Sequence, residues 1–162
     1  LQQHQLSERI ELRQQSSSQH IFDQLLKAGE YIDVTLCNPP FHRSAEEAAA
    51  GSLRKRTNLG LADDSAELNF AGLSHELWCE GGELQFIQRM MQQSVAVGHQ
   101  VYWFSSLVSK KEHLAPLQAT LATLGVTAQQ VVEMAQGNKQ SRFIAWTFLT
   151  PVQQQLWRQH RW

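Results

Sequence analysis

Apolar residues along the chain fall into two spacings: short dense or alternating runs, and longer stretches with apolar positions three and four apart. Alternation of these two is the pattern of a sheet covered by helices. "RIELRQ" (9–14) is the first predicted strand, and the polar "QSSSQ" is a turn feeding a predicted helix from Ile21 to Ala28, stopped by Gly29. "YIDVTLC" follows, apolar from Ile32 to Cys37 apart from Asp33 and Thr35, as a mainly buried parallel strand would be.

"ELQFIQRMMQQSV" places Leu84, Ile87, Met91 and Val95 on one helical face, with Gly98 closing the helix. Next come a strand in "QVYWFSSLV", a helix in "EHLAPLQATLATLG" stopped by Gly125, and strands in "VVEMAQG" and "RFIAWTFL". The turn "GNKQS" makes the last two antiparallel neighbours. Pro151 opens a polar tail helix. The fold class expected is α/β, a sheet mostly parallel with one antiparallel strand. Between Arg43 and Gly82 the pattern is irregular, and a span of that length reads as a substrate-facing insertion in a single domain covering 1–162.

Composition narrows the picture. The 162 residues are 42% apolar, enough for the core of one domain, and the formal charge of −1 offers no global field for a nucleic acid. RNA contact would therefore need local clusters. No segment is long and apolar enough to span a membrane, and "LQQHQLSERI" is not a signal peptide, so a cytoplasmic location is expected. Cys37, Cys79 and seven scattered histidines lack metal-site spacing, so no metal is expected.

The candidate chemistry lies where "YIDVTLC" runs into "NPPFH". In open α/β sheets, ligands bind beyond the carboxyl ends of strands, which is where Asn38 stands. Pro39 and Pro40 fix φ and carry no N–H, so the carbonyls around them can face outward. An asparagine oxygen beside a fixed carbonyl is a pair of acceptors suited to an amino group on a conjugated ring or carbonyl. Holding both of its hydrogens favours the localised lone pair that attacks an electrophile, with no strong base required. Phe41 adds a face on which an unstacked base can lie.

"NPPF" resembles the motif of S-adenosylmethionine-dependent methyltransferases acting on adenine in DNA, adenine in RNA or a glutamine side chain. Taken with "RKRTNLGL", "LNF", "ELWCEGGEL", "WFSSLVSKKE" and "EMAQGNKQSRFIAWTF", the chain resembles the bacterial large-subunit (23S) ribosomal RNA adenine-N6 methyltransferase family, whose eukaryotic relatives methylate small nuclear RNA. The resemblance runs over essentially the whole chain. It implies a Rossmann-like class I methyltransferase sheet, S-adenosylmethionine as donor, ribosomal RNA as partner, and a catalytic segment at Asn38, Pro39, Pro40 and Phe41.

One departure is large. The glycine-rich turn and the acidic residue that hold the donor in such folds belong to the first two strands, and no Gly-x-Gly turn after a strand occurs here. The chain is therefore expected to be the C-terminal part of such an enzyme, inactive alone. Its remaining donor contacts would be Ser17, Ser18, Gln19 and Asn38. In the family's strand order the first two strands lie between "RIELRQ" and "YIDVTLC", so an open edge is expected, with a displaced N-terminal segment or self-association.

Arg54, Lys55 and Arg56 in the insertion, Arg43 beside the motif, Lys110 and Lys111 after "YWFSSLV", and Lys139 and Arg142 at the hairpin are the candidate RNA contacts. Such residues would position the RNA backbone rather than read its sequence. Trp78 and Trp103 read as core or pocket wall, and Phe70 is open between those roles and base stacking. Glu76, Glu80 and Glu83 suit the start of a helix at Gly81–Gly82. A non-catalytic RNA-binding module is the rival reading.

Overall fold

The computed structural model describes residues 9–47, 77–136 and 139–162, with the side chains of 135–140 outside that description. Arg54, Lys55, Arg56 and Phe70 lie outside the described residues, as does the side chain of Lys139.

Four strands, β1 (Ile32–Val34), β2 (Val101–Val108), β3 (Ala128–Gln136) and β4 (Lys139–Thr147), form one sheet in the order β1-β2-β4-β3. β1 runs parallel to β2, and β4 runs antiparallel to both β2 and β3, so β4 is the single reversed strand that the hairpin predicts. β2 is buried along most of its length because it has a strand on each side and apolar or small side chains on both faces. Helices α1 (Gly82–Ser94), α2 (Leu114–Thr123) and α3 (Pro151–Arg161) complete the described elements, with a 3₁₀ turn, Lys111–His113, leading into α2.

The core joins α1 and α2 to the sheet through Ile87, Met90, Met91, Leu117, Leu121, Phe104, Ile144 and Trp146. On α1 the buried stripe is Ile87, Met90, Met91 and Ser94. Leu84 packs at its margin, whereas Val95 is 48% exposed, since it lies beyond the last helical turn and faces away from the sheet. Phe104 stacks on Trp146 at 5.6 Å, and the Trp146 indole N–H donates to Ser94 Oγ at 3.0 Å.

The N-terminal expectations are overturned. "RIELRQ" forms no strand: among the described residues it has no ladder partner, and its charged side chains bond locally instead. Arg13 pairs with Glu11 and Glu30 and donates to the Leu25 carbonyl at 2.7 Å, while Leu12 is left 78% exposed. Residues 21–28 are successive turns rather than a helix. Gln24 sits at φ 54, Gln93 Oε1 takes the N–H groups of Ile21 and Phe22, and Gln15 Nε2 donates to the carbonyls of Ile21 and Asp23. Side chains thus occupy the backbone groups that a helix would use.

Gly98 also has a different reason from the one expected. The helix ends before it, and a Cβ there would come within 2.8 Å of the Phe148 ring, so glycine is required by close packing rather than as a helix stop. Gly125 does stop α2, at φ 71 with open space around it. Thr150 caps α3 with Gln153 in a reciprocal capping box, and Pro151 opens the helix.

Candidate active site at the carboxyl end of the sheet

The register of β1 against β2 continues beyond the regular strand. Ile32 faces Val101, Val34 faces Trp103, and Cys37 faces Ser106 at the same offset, with Leu107 N–H donating to the Cys37 carbonyl at 2.9 Å. Ser105 Oγ donates to the Thr35 carbonyl at 2.7 Å, filling the gap between these pairs. Asn38 is the first residue past the ladder, and it is exposed. It stands at the sheet end where open α/β folds bind ligands.

Pro39 and Pro40 turn inward and are buried, whereas Phe41 is 38% exposed. Burying two residues just past a strand end would ordinarily orphan two N–H donors. Proline has none, so the chain can bury here without that cost.

Beyond Phe41 the loop is tied down. His42 N–H donates to the Leu77 carbonyl and Cys79 N–H to the His42 carbonyl, both at 3.1 Å. Gly81 and Gly82, at φ 77 and 64, let the chain reverse into α1, and a Cβ on Gly82 would sit 2.9 Å from Arg43 Cγ. Trp78 is half-buried in this bridge, and Trp103 packs against the cluster of Tyr102, Leu149 and Trp157, so both serve as wall or core.

The loop after β2 is fixed from two sides. Glu83, 2% exposed at the start of α1, accepts from Ser109 N–H at 2.6 Å and pairs with His113 Nδ1 at 2.6 Å. Arg142 Nη1 donates to the Ser109 carbonyl at 3.2 Å. Arg142, expected from its place at the hairpin to contact RNA or donor, is only 8% exposed and braces the loop from within.

Arg43, Lys110 and Lys111 are exposed along the same end of the sheet. The charges of Arg43 and Lys110 both reach Glu47. Its carboxyl lies below the usual range, mainly because the Arg43 N–H donates to it, with the charges of His42, Lys110 and Arg43 adding to the effect.

The turn at Ser17, Ser18 and Gln19 is built by Gln19 N–H donating to Ser17 Oγ at 3.2 Å. Gln93 on α1 anchors it, donating to the Gln19 carbonyl at 2.7 Å. Burial raises the thiols of Cys37 and Cys79 above their ordinary values, which disfavours the nucleophilic thiolate at neutral pH. Among the described residues no group of His, Cys, Asp and Glu has metal-site geometry.

An RNA methyltransferase family matches residues 1–150. The chain belongs to this family. Relatives include ribosomal RNA large subunit methyltransferase F of Pseudomonas fluorescens strain Pf0-1, 50% identical over all of this chain and 48% of that protein. The protein of the same name from Klebsiella pneumoniae strain 342 is 55% identical over 89% of this chain and 47% of its own length. This member of the RNA methyltransferase family thus spans about half the length of the curated relatives it matches.

Among solved structures, the hMettl16 catalytic domain in complex with MAT2A 3′UTR hairpin 1 aligns with a TM-score of 0.69 and 26% identity, over 93% of this chain and 50% of that one. The N-terminal domain of human METTL16 in complex with SAH aligns with a TM-score of 0.61 and 26% identity, over 92% and 45%. These likenesses establish the Rossmann-like class I methyltransferase fold for the described sheet.

Two residues escaped the sequence reading. Glu83 looked like an ordinary first-turn acid, but it is a buried tie between α1 and the loop after β2. Asp33 looked like a break in an apolar strand, yet it accepts from Trp157 Nε1 at 2.7 Å, Trp162 Nε1 at 3.1 Å and Arg161. The signal available for Asp33 was the Trp–Arg–Trp grouping at 157, 161 and 162 of the tail helix.

Proposed function

We propose that this chain carries the nucleobase-gripping part of an S-adenosylmethionine-dependent enzyme that methylates the exocyclic N6 of an adenine in large-subunit (23S) ribosomal RNA. The observation that carries the reading is the end of the β1 ladder, where an exposed Asn38 is followed by two buried prolines and a partly exposed Phe41. In this reading the Asn38 amide oxygen and the Pro39 carbonyl accept the two hydrogens of the adenine amine. That localises the nitrogen lone pair and stabilises charge as it develops. Phe41 supports the ring of a base taken out of its stack.

The donor supplies an electrophilic methyl group on a sulfonium. Residues present here fit part of it: Asn38 faces solvent at the strand end, and the Ser17–Ser18–Gln19 turn is held in shape by Gln93. The chain has no glycine-rich turn after a strand, so these residues alone make a weak donor site, and the isolated chain is inactive.

Arg43, Lys110 and Lys111 are exposed cations suited to holding RNA phosphates, and Arg54, Lys55, Arg56 and Lys139 belong to the same proposed contact set on sequence grounds. A cytoplasmic place of action goes with a ribosomal substrate. Among the described residues β1 is an edge strand with Val34 51% exposed, which favours self-association.

Offering ribosomal RNA, duplex DNA and a glutamine-bearing protein to the full-length protein with labelled donor tests the substrate class. Label is expected as N6-methyladenine in RNA. Transfer to DNA adenine or to glutamine would move the proposal to another substrate class, and salt-dependent RNA binding without transfer would leave a non-catalytic binding module.

A further inference from the structure

Glu83 is a buried carboxylate, and its partners all come from one place. Oε1 accepts from Ser109 N–H at 2.6 Å, while Oε2 meets His113 Nδ1 at 2.6 Å and Lys110 N–H at 3.5 Å. Its side chain is 1% exposed and that of His113 is 9% exposed, so water cannot substitute for these bonds. A carboxylate buried this deeply persists only where its oxygens are satisfied, and removing a partner is costly.

What this carboxylate joins is informative. Ser109 is the first residue beyond β2, and it is gripped at both ends of its backbone, its N–H by Glu83 and its carbonyl by Arg142. One residue before Glu83, Gly82 lies against Arg43, and its N–H donates to the Cys79 carbonyl at 2.9 Å. Cys79 in turn donates to His42, next to Phe41. The start of α1 therefore touches the loop after β1 through its backbone and the loop after β2 through one side chain.

We propose that Glu83 is a positioning residue that sets the Asn38–Phe41 rim against the Ser109–Lys111 loop, so that a nucleobase and the RNA backbone attached to it are held in one register. This deepens the proposed function and rests on it. Glu83 itself contacts no substrate. Its effect runs through the geometry of two loops, and a misplacement on the order of 1 Å can cost roughly 100-fold in rate.

The test is Glu83→Gln in the full-length protein, which keeps the volume and one acceptor but replaces the second acceptor with a donor. Turnover is expected to fall about 10- to 100-fold while KM for RNA and donor stays within about threefold. Backbone amide exchange at both Ser109 and Cys79 should speed up. In an Asn38→Ala background the same change should cost less than about threefold, because both act on one rim. His113→Ala, which spares the Ser109 bond, should lose less turnover than Glu83→Gln.

Full turnover in a folded Glu83→Gln protein, additive losses with Asn38→Ala, or a loss matched entirely by the unfolded fraction would overturn the proposal. If Asn38→Ala alone left transfer intact, the catalytic reading would fall instead. The exchange experiment would then decide the Glu83 linkage: protection lost at both amides supports it, and protection lost at Ser109 alone overturns it.

Discussion

Ser94 sits in the core with both halves of its hydroxyl in use, donating to the Met91 carbonyl at 2.6 Å and accepting the Trp146 indole N–H at 3.0 Å. Ser94→Ala would leave a buried indole donor without a partner, a cost of about 1–3 kcal/mol. Urea unfolding should read it as a lower midpoint with an unchanged slope. At the surface, Glu30 titrates at about 2 rather than its ordinary 4.5, first because of its hydrogen bond from Arg13 and then because of the Lys27 N–H. A depressed carboxylate favours the folded form above its unfolded value and loses that effect as pH falls through the folded one. The stretch from 9 to 31 should therefore become more susceptible to pepsin between about pH 4.5 and pH 2. Glu30→Gln should weaken that pH dependence, leaving the part that Glu11, also lowered by its hydrogen bond from Arg13, contributes.

At the scale of elements, the legible features were those with strong local causes. α1 has a stripe at helical spacing, β3 and β4 are antiparallel neighbours with Gly-Asn between them in the sequence, and α3 begins at a Thr-Pro cap, so their types could be read from neighbours in sequence. "RIELRQ" alternates as a strand should, yet alternation cannot supply a hydrogen-bonding neighbour, and the segment pairs Arg13 with carboxylates instead. The 21–28 stretch failed as a helix because Gln15 and Gln93, the latter distant in sequence, take its backbone groups. The strand end at Asn38 to Phe41 was legible as a place where the chain leaves the sheet, because proline chemistry is local. The burial of Glu83 and Arg142 was not, since each depends on strands and loops meeting in space.

Asp33 carries the same lesson. It holds α3 to β1 through two indoles and Arg161, which together keep its carboxyl below the usual range, Arg161 foremost. Asp33→Asn should loosen the tail helix, costing on the order of 1 kcal/mol for so exposed a cluster. A shift in tryptophan emission at a lowered melting temperature would register it; unchanged emission would mean that the helix is held by packing alone.

At the scale of the molecule, the sheet formed by the described residues has one edge at β1, along which Tyr31, Val34 and Leu36 are exposed. Unpaired edges of this kind template association. Sedimentation of the isolated chain should show a concentration-dependent larger species, and Val34→Lys should suppress it by placing a charge in the contact. A monomer at all concentrations would mean that the Arg13–Glu30 segment already shields the edge.

At the carboxyl end of this sheet, the proposed function has Asn38 and the Pro39 carbonyl grip an adenine amine during methyl transfer. The most direct measurement is the single-turnover rate of N6-methyladenine formation by the full-length protein carrying Asn38→Ala, with donor and RNA both saturating. A fall of about 10²–10³-fold is predicted, the usual loss for a group that stabilises a transition state. A rate within a few-fold of the unsubstituted protein would contradict it.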